Sequence, residues 1–299
     1  MRRVAAGQRP PTLRLIHSAP VVAFAKRDAV AEGYEEAVAA ARAAGFGAVL
    51  RLAGGRAAVF HEGTLELAHA VPDADPRASI HARFRHTAEL VARALGRLGV
   101  DVRVGEVPGE YCPGRWSVNA GGARKLAGIG QRVIAGGSHT GVVIAVSGAD
   151  RIRSALVPVY RALRLDWNPD TAGSVADELD LPAERAWAVV EGALLAEYGR
   201  LYDLVEDELD AETLTLAREL APEHRATGAC TGLTGQMARG IPNPAQPAEP
   251  TASGLPNPAQ PAEPAASGLP NPAQPAKPAA SGLPNPAQPA EPAASGLGA

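Results

Sequence analysis

The chain has 299 residues, 29 cationic and 32 acidic side chains, and a net charge of −3. That balance excludes a strongly basic surface, so no nucleic-acid partner is expected. Two cysteines exclude a disulfide framework and point to a reducing, cytoplasmic setting, and no apolar run nears the length needed to cross a membrane.

In chain order, residues 12–16 and 21–25 read as short strands about the turn at Ser18-Ala19-Pro20. The alanine-rich stretch 29–44 reads as a helix stopped at Gly45. Residues 47–52 and 57–60 read as strands on either side of a Gly54-Gly55 turn, and 65–71 as a further strand. Ser79 is placed to cap a helix running to about 98, with an apolar stripe that includes Ile80, Leu90, Val91, Ala94 and Leu95. Segment 100–104 returns as a strand. Three more strands, 116–119, 125–134 and 141–146, are separated by Gly121-Gly122 and Gly136-Gly137, the pattern of an antiparallel meander. From Asp150 the periodicity turns helical, over 150–163, 174–179, 183–204 and 211–220. Strands with two inserted helices, followed by a run of helices, predict an α+β fold: a mixed, largely antiparallel sheet with flanking helices. Residues 1–235 should form one domain. Residues 240–295 are four near-identical units of the type GLPNPAQPAEPAAS, followed by GLGA. With one Leu or Ile per unit, the segment 240–299 is expected to be a disordered, partly polyproline-II tail.

The chemistry concentrates in 109–132. Cys112 lies in Gly109-Glu110-Tyr111-Cys112-Pro113-Gly114, a loop type that favours an exposed turn. Lys125 is one of only three lysines, the other two being Lys26 and Lys277, against 26 arginines. A lysine kept among small apolar residues suggests a need for a compact ammonium. Cys112 could be a nucleophile or a buried apolar cysteine, and Lys125 an oxyanion donor or an edge-strand charge. Arg51-Leu52-Ala53-Gly54-Gly55-Arg56 could bring backbone N–H groups close to a ligand or could be an ordinary turn. His139, after its glycine turn, could approach the site or sit solvated. Cys230, near the end of the domain, reads as a structural residue. No HExxH, CxxC or Walker sequence occurs, so no metal site is expected.

On these residues the chain resembles the lipoate/octanoate acyltransferase and ligase superfamily, whose fold is akin to biotin protein ligase. Gly109–Gly114 is similar to its G/S-x-Y-C-P-G loop, and Arg124-Lys125-Leu126-Ala127-Gly128-Ile129-Gly130-Gln131-Arg132 to the following K-K-F-A-G-x-x-Q-R strand, as in the octanoyl amidotransferases. Residues 51–65 resemble the R-x-x-G-G-x-A-V-V-x-D-E-G-V-L segment, with His61 in place of its Asp. The resemblance implies that Cys112 accepts the acyl group and that Lys125 contacts the acyl carbonyl. It implies too that Arg51, Gly54, Gly55, Gly128 and Gln131 line the acyl pocket. The helix that usually precedes the family's first strand has no counterpart before Thr12, so a shortened N-terminus is expected.

The expected function is transfer of octanoyl or lipoyl groups to lysines of lipoyl domains through a Cys112 thioester, without metal or nucleotide. Octanoylated glycine cleavage H protein or acyl carrier protein would be the donor, and lipoyl domains of 2-oxoacid dehydrogenase complexes the acceptor. The protein is expected to act as a monomer. Two alternatives stand beside this: an ATP-dependent lipoate–protein ligase using ATP and Mg, and a non-catalytic acyl- or protein-binding module on the same scaffold.

Overall fold

The computed structural model describes residues 1–226; Cys230 and the repeats of 240–299 lie outside the described residues. A single-turn helix, α1 (Arg2–Ala5), precedes β1 (Thr12–His17), where the sequence had suggested no helix. Val4 is buried, and Ala5 packs against Gly136 and Gly137. The elements that follow are β2 (Val21–Phe24), α2 (Lys26–Ala29), α3 (Tyr34–Ala43), β3 (Gly47–Leu50), β4 (Ala58–Phe60) and β5 (Thr64–Pro72). Next come α4 (Ile80–Arg97), β6 (Val102–Val104), β7 (Val118–Ala120), β8 (Arg124–Ile134), β9 (Gly137–Ala145) and α5 (Ala149–Ala162). The described fold closes with α6 (Val175–Leu179), α7 (Ala183–Gly199) and α8 (Ala211–Leu220).

Six strands form an antiparallel sheet in the order β1-β5-β9-β8-β7-β6, and three form a small mixed sheet in the order β3-β2-β4. This is the α+β architecture expected. On one face of the large sheet, Leu65, Leu67, Leu126, Val142 and Ile144 pack against Leu90, Val91 and Leu95 of α4 and Leu194 of α7. Burying each such side chain contributes about 1.5–3 kcal/mol. The small sheet packs Val22 and Phe24 against Val38 of α3 and Ile152, Leu156 and Tyr160 of α5.

Three local expectations change. The helix expected over 29–44 is shortened to α3, with α2 ending at Ala29, because the chain at Gly33 passes against the end of α5. A Cβ there would fall 1.8 Å from the Ala162 carbonyl oxygen. The strands at 47–50 and 58–60 do not pair with each other; both pair with β2, in parallel and antiparallel sense respectively. Residues 51–57 therefore form a crossing loop rather than a tight turn. Ser79 stands at the start of α4 but makes no side-chain cap, its hydroxyl donating instead to the Asp75 carbonyl at 3.4 Å.

A C-terminal belt ties the ends of the domain together. Arg3 pairs with Asp210 and Glu212, and Arg9 with Asp207 and Asp210. His224 Nδ1 meets the Leu50 carbonyl at 3.0 Å, and Arg225 bridges to Val49 in antiparallel sense.

Candidate active site around Cys112

The loop before β7 is organised by a buried carboxylate. Glu110 is 3 % exposed. Its Oε1 accepts from Gly114 N–H (2.9 Å), the Ser117 hydroxyl (2.6 Å) and Lys125 Nζ (3.2 Å), and its Oε2 from Val107 N–H (3.3 Å). Four donors converging on one carboxylate offset its desolvation and close the loop around it. Tyr111 is buried against Trp167, ring centroids 5.7 Å apart. In the Tyr-Cys-Pro-Gly segment Tyr111 is therefore buried, Cys112 and Gly114 are half-buried and Pro113 is exposed, so only part of it is the exposed turn its composition suggests.

Cys112 adopts φ +43°, in the left-handed region, at a cost of about 1–2 kcal/mol for a non-glycine residue. Both of its backbone polar groups are held. Its N–H donates to the Tyr160 hydroxyl (2.7 Å), which in turn donates to the Ala57 carbonyl (2.9 Å). Its carbonyl accepts from Lys125 Nζ (2.9 Å). Burial first, and then the neighbouring thiolate, push the Tyr160 phenol well above its ordinary value, so it remains a neutral donor.

The sulfur faces the 51–57 loop. Arg56 N–H lies 3.2 Å from Sγ and Arg51 Nη2 lies 3.4 Å from it. Arg51 Nη2 also donates to the Arg56 carbonyl (2.6 Å). Arg56 is anchored from behind by its guanidinium, 3.3 Å from the buried Asp28 carboxylate, which itself accepts from Ala25 N–H (2.9 Å). Gly55 has φ +99°, and a Cβ there would stand 2.7 Å from Sγ and 2.7 Å from Arg51 Nη2. Burial opposes ionisation of Cys112. The charges of Arg51 and Lys125, the Arg56 N–H and the Arg51 hydrogen bond together outweigh it, and the thiol lies below its ordinary pKa.

Lys125 is 2 % exposed, and its ammonium has three acceptors within reach: Glu110 Oε1, the Tyr111 carbonyl (3.0 Å) and the Cys112 carbonyl. A β-bulge positions it. Val118 pairs with Ala127 but Asn119 pairs with Lys125, leaving Leu126 as the extra residue. The bulge reverses the alternation, so Lys125 shares a face with Gly128, whose Cβ position is 3.5 Å from Lys125 Cε. On the same face, the Gly130 Cβ position lies 3.1 Å from Ala53 of the crossing loop.

The structure thus brings together Cys112, Lys125, Arg51, Gly55 and Gly128. Gly54 is exposed in the same loop. Gln131 belongs to the opposite face: Nε2 donates to the Ile80 carbonyl (2.9 Å) and Oε1 accepts from Arg83 Nε (2.9 Å). It pins α4 and does not line the loop side. His139 is not near the sulfur either. It lies within β9, just past the Gly136 turn, and pairs with Arg132, seven residues beyond Lys125 and so about 20 Å along the strand. Burial chiefly, with the Met1 amino group, His69 and Arg14 nearby, lowers its pKa to about 4. Glu110, Tyr160, Arg56 and Asp28 complete the site and were not singled out from sequence. Glu110 sits inside the cysteine motif, whereas Tyr160 carries no local signal. No group of three His, Cys, Asp or Glu that could hold a metal occurs among the described residues.

Residues 1–164 match the family model of the lipoyl protein ligase A/B catalytic domain, and the chain belongs to that family. It is 30% identical over 154 residues to an octanoyl-[GcvH]:protein N-octanoyltransferase from Geobacillus kaustophilus, covering 52% of this chain and 54% of that one. It is 26% identical over 229 residues to a lipoyl-[GcvH]:protein N-lipoyltransferase from Listeria monocytogenes, covering 72% and 80%. The chain spans about half the length of the Geobacillus protein and of a second octanoyltransferase it matches. Among solved structures, the bipartite lipoate protein ligase of Thermoplasma acidophilum shares the fold, with a TM-score of 0.55 at 21% identity, covering 71% of this chain and 80% of that one.

Proposed function

We propose that the protein is an acyltransferase of protein lipoylation, moving octanoyl or lipoyl groups onto lysines of lipoyl domains through a thioester on Cys112. The observation that carries this is the sulfur's setting: one Arg56 N–H and one Arg51 guanidinium N–H on Sγ, with the pKa below that of an ordinary thiol. The relatives named as octanoyl- and lipoyl-[GcvH] transferases support the same substrate class.

In the first half-reaction the Cys112 thiolate attacks the acyl carbonyl, forming an S–C bond and an oxyanion. Collapse expels the donor. An octanoyl-lysine donor such as glycine cleavage H protein leaves as an amine, taking a proton from water, whereas an acyl carrier protein thioester leaves as a thiolate. In the second half-reaction the lysine amine of a lipoyl domain attacks the thioester, gives its surplus proton to solvent and releases the Cys112 thiolate. The sequence requires neither nucleotide nor metal. The missing side chains of Gly128 and Gly130 let the Lys125 stem and Ala53 of the crossing loop close on this strip of β8.

Intact-mass measurement after mixing with octanoylated H protein, without ATP, tests the proposal. The expected product is a single hydroxylamine-labile octanoyl adduct, absent from Cys112→Ala. Lipoyl-domain modification that needs ATP and survives Cys112→Ala would overturn it in favour of a ligase.

A further inference from the structure

We infer that the oxyanion of the acyl-transfer step is held by Arg51 and the Arg56 backbone N–H, while Lys125 acts on the loop that carries the nucleophile. The inference rests on acyl transfer through Cys112, as proposed above.

An ammonium has three protons to donate. Those of Lys125 have three acceptors already, one of them the Cys112 carbonyl, and its side chain lies beneath the loop, 2 % exposed. Reaching an acyl carbonyl would mean giving up one of these bonds and uncovering a buried partner of Glu110. Arg51 is placed differently. A guanidinium has five N–H donors in a fixed plane and stays charged throughout the working pH range. Its Nη2 bonds the Arg56 carbonyl and faces Sγ, while its Nε is buried with no hydrogen-bond partner.

The second observation is that Gly55, by lacking a side chain, lets both groups close on the same stretch of backbone. The missing Cβ of Gly55 marks a point 2.7 Å from Arg51 Nη2 and 2.7 Å from Cys112 Sγ. Oxyanion donors work at about 2.7–3.1 Å from the developing charge. An oxygen on the carbon bonded to Sγ lies two bonds from the sulfur, beside donors that already face Sγ at 3.2 and 3.4 Å. As the Sγ–C bond forms, the carbonyl π pair moves to that oxygen, and the negative charge passes from sulfur to oxygen without leaving the reach of Arg51 and Arg56 N–H. On collapse the pair returns to carbon and the donor's thiolate or amine departs. The same two donors therefore serve the thiolate before attack and the oxyanion during it.

Two reactions of one thiol separate these roles. Alkylation by iodoacetamide develops no oxyanion; acylation by a small octanoyl thioester does. Both rates are read at pH values above the thiol's midpoint, where the thiolate is fully formed. Arg51→Ala is expected to keep its plateau alkylation rate within a few-fold and to lose about 10²–10³-fold in acylation, the usual cost of one oxyanion donor. Arg51→Lys, which keeps charge but not the planar fork, should recover only part of that loss. Equal proportional losses in both reactions, or an Arg51→Ala acylated as fast as wild type, would overturn the inference while leaving acyl transfer intact. A wild type that is alkylated yet never acylated would overturn the acyl-transfer proposal itself, and this inference with it. Should Arg51→Ala not fold, the comparison of Arg51→Lys with wild type carries the same test, with equal acylation rates overturning the assignment.

Discussion

Lys125 Nζ donates to the carbonyl oxygen of Cys112, thirteen residues earlier in the chain, at 2.9 Å. The Cys112 peptide is thus an acceptor for the site's buried ammonium, and the same ammonium faces the Glu110 carboxylate. Removing one partner of a buried ion pair strands the other. Lys125→Met should lower stability by about 3–5 kcal/mol as well as abolish transfer. Lys125→Arg should fail nearly as badly, since a planar fork cannot meet three acceptors arranged for a compact ammonium. Denaturant unfolding of Lys125→Met, Glu110→Gln and the double variant checks this, with the double variant expected to be more stable than the sum of the singles allows.

Tyr160 fixes the loop from the other side. Tyr160→Phe leaves the Cys112 N–H and the Ala57 carbonyl without their partner, at about 1–3 kcal/mol. Freed at its N–H, the left-handed Cys112 should drift from Arg56 and Arg51, and the pH midpoint of its alkylation should move upward toward an ordinary thiol. An unmoved midpoint would mean that the tyrosine supports the fold without positioning the sulfur.

Gly55 and Gly45 both have positive φ, but only one has neighbours. Gly45→Ala meets nothing within 4 Å, so it should cost only backbone strain, about 1 kcal/mol, and keep activity. Gly55→Ala adds a methyl 2.7 Å from both Sγ and the Arg51 guanidinium, so it should lose transfer at least tenfold beyond Gly45→Ala. Rates measured side by side, normalised to folded protein, distinguish the two.

The His139 pKa is lowered to about 4 from an ordinary 6.5, chiefly by burial. Between those values the unfolded chain binds a proton there that the native state does not. Stability therefore falls as pH drops through that window and levels off below it. His139→Gln should flatten this part of the melting-temperature profile between about pH 6.5 and 4, with transfer activity at neutral pH unchanged because the residue lies far from Cys112. His61 and His69, lowered in the same direction, leave a residual slope.

The sequence made the central pair legible because Cys112 and Lys125 are rare residue types in a dense motif, and Arg51 and Gly55 because a glycine pair beside an arginine invites close approach. The amphipathic stripe of α4 and the glycine turn between β7 and β8 were equally readable. Gln131 lies apart from Lys125 for a geometric reason: strict alternation would put the two on one face, and the bulge at Leu126 transfers Gln131 to the other side. His139 follows its glycine turn, but that turn closes the β8–β9 hairpin at the end remote from Lys125. Glu110 looked like loop polarity, and only the convergence of Val107, Gly114, Ser117 and Lys125 reveals its part. Tyr160 and Gly33 act through contacts with segments more than forty residues away or longer, which no local pattern encodes.

Cys112 draws its ionisation from Arg51, Lys125 and the Arg56 N–H, which meet only when both sheets are assembled. In a newly made or denatured chain the same cysteine is an ordinary thiol, largely protonated at neutral pH. Its speed with a mild electrophile is therefore a built-in gauge of native structure, needing no label or reporter. Followed during refolding, that speed would time the docking of the crossing loop onto the cysteine loop, separately from the appearance of the helices.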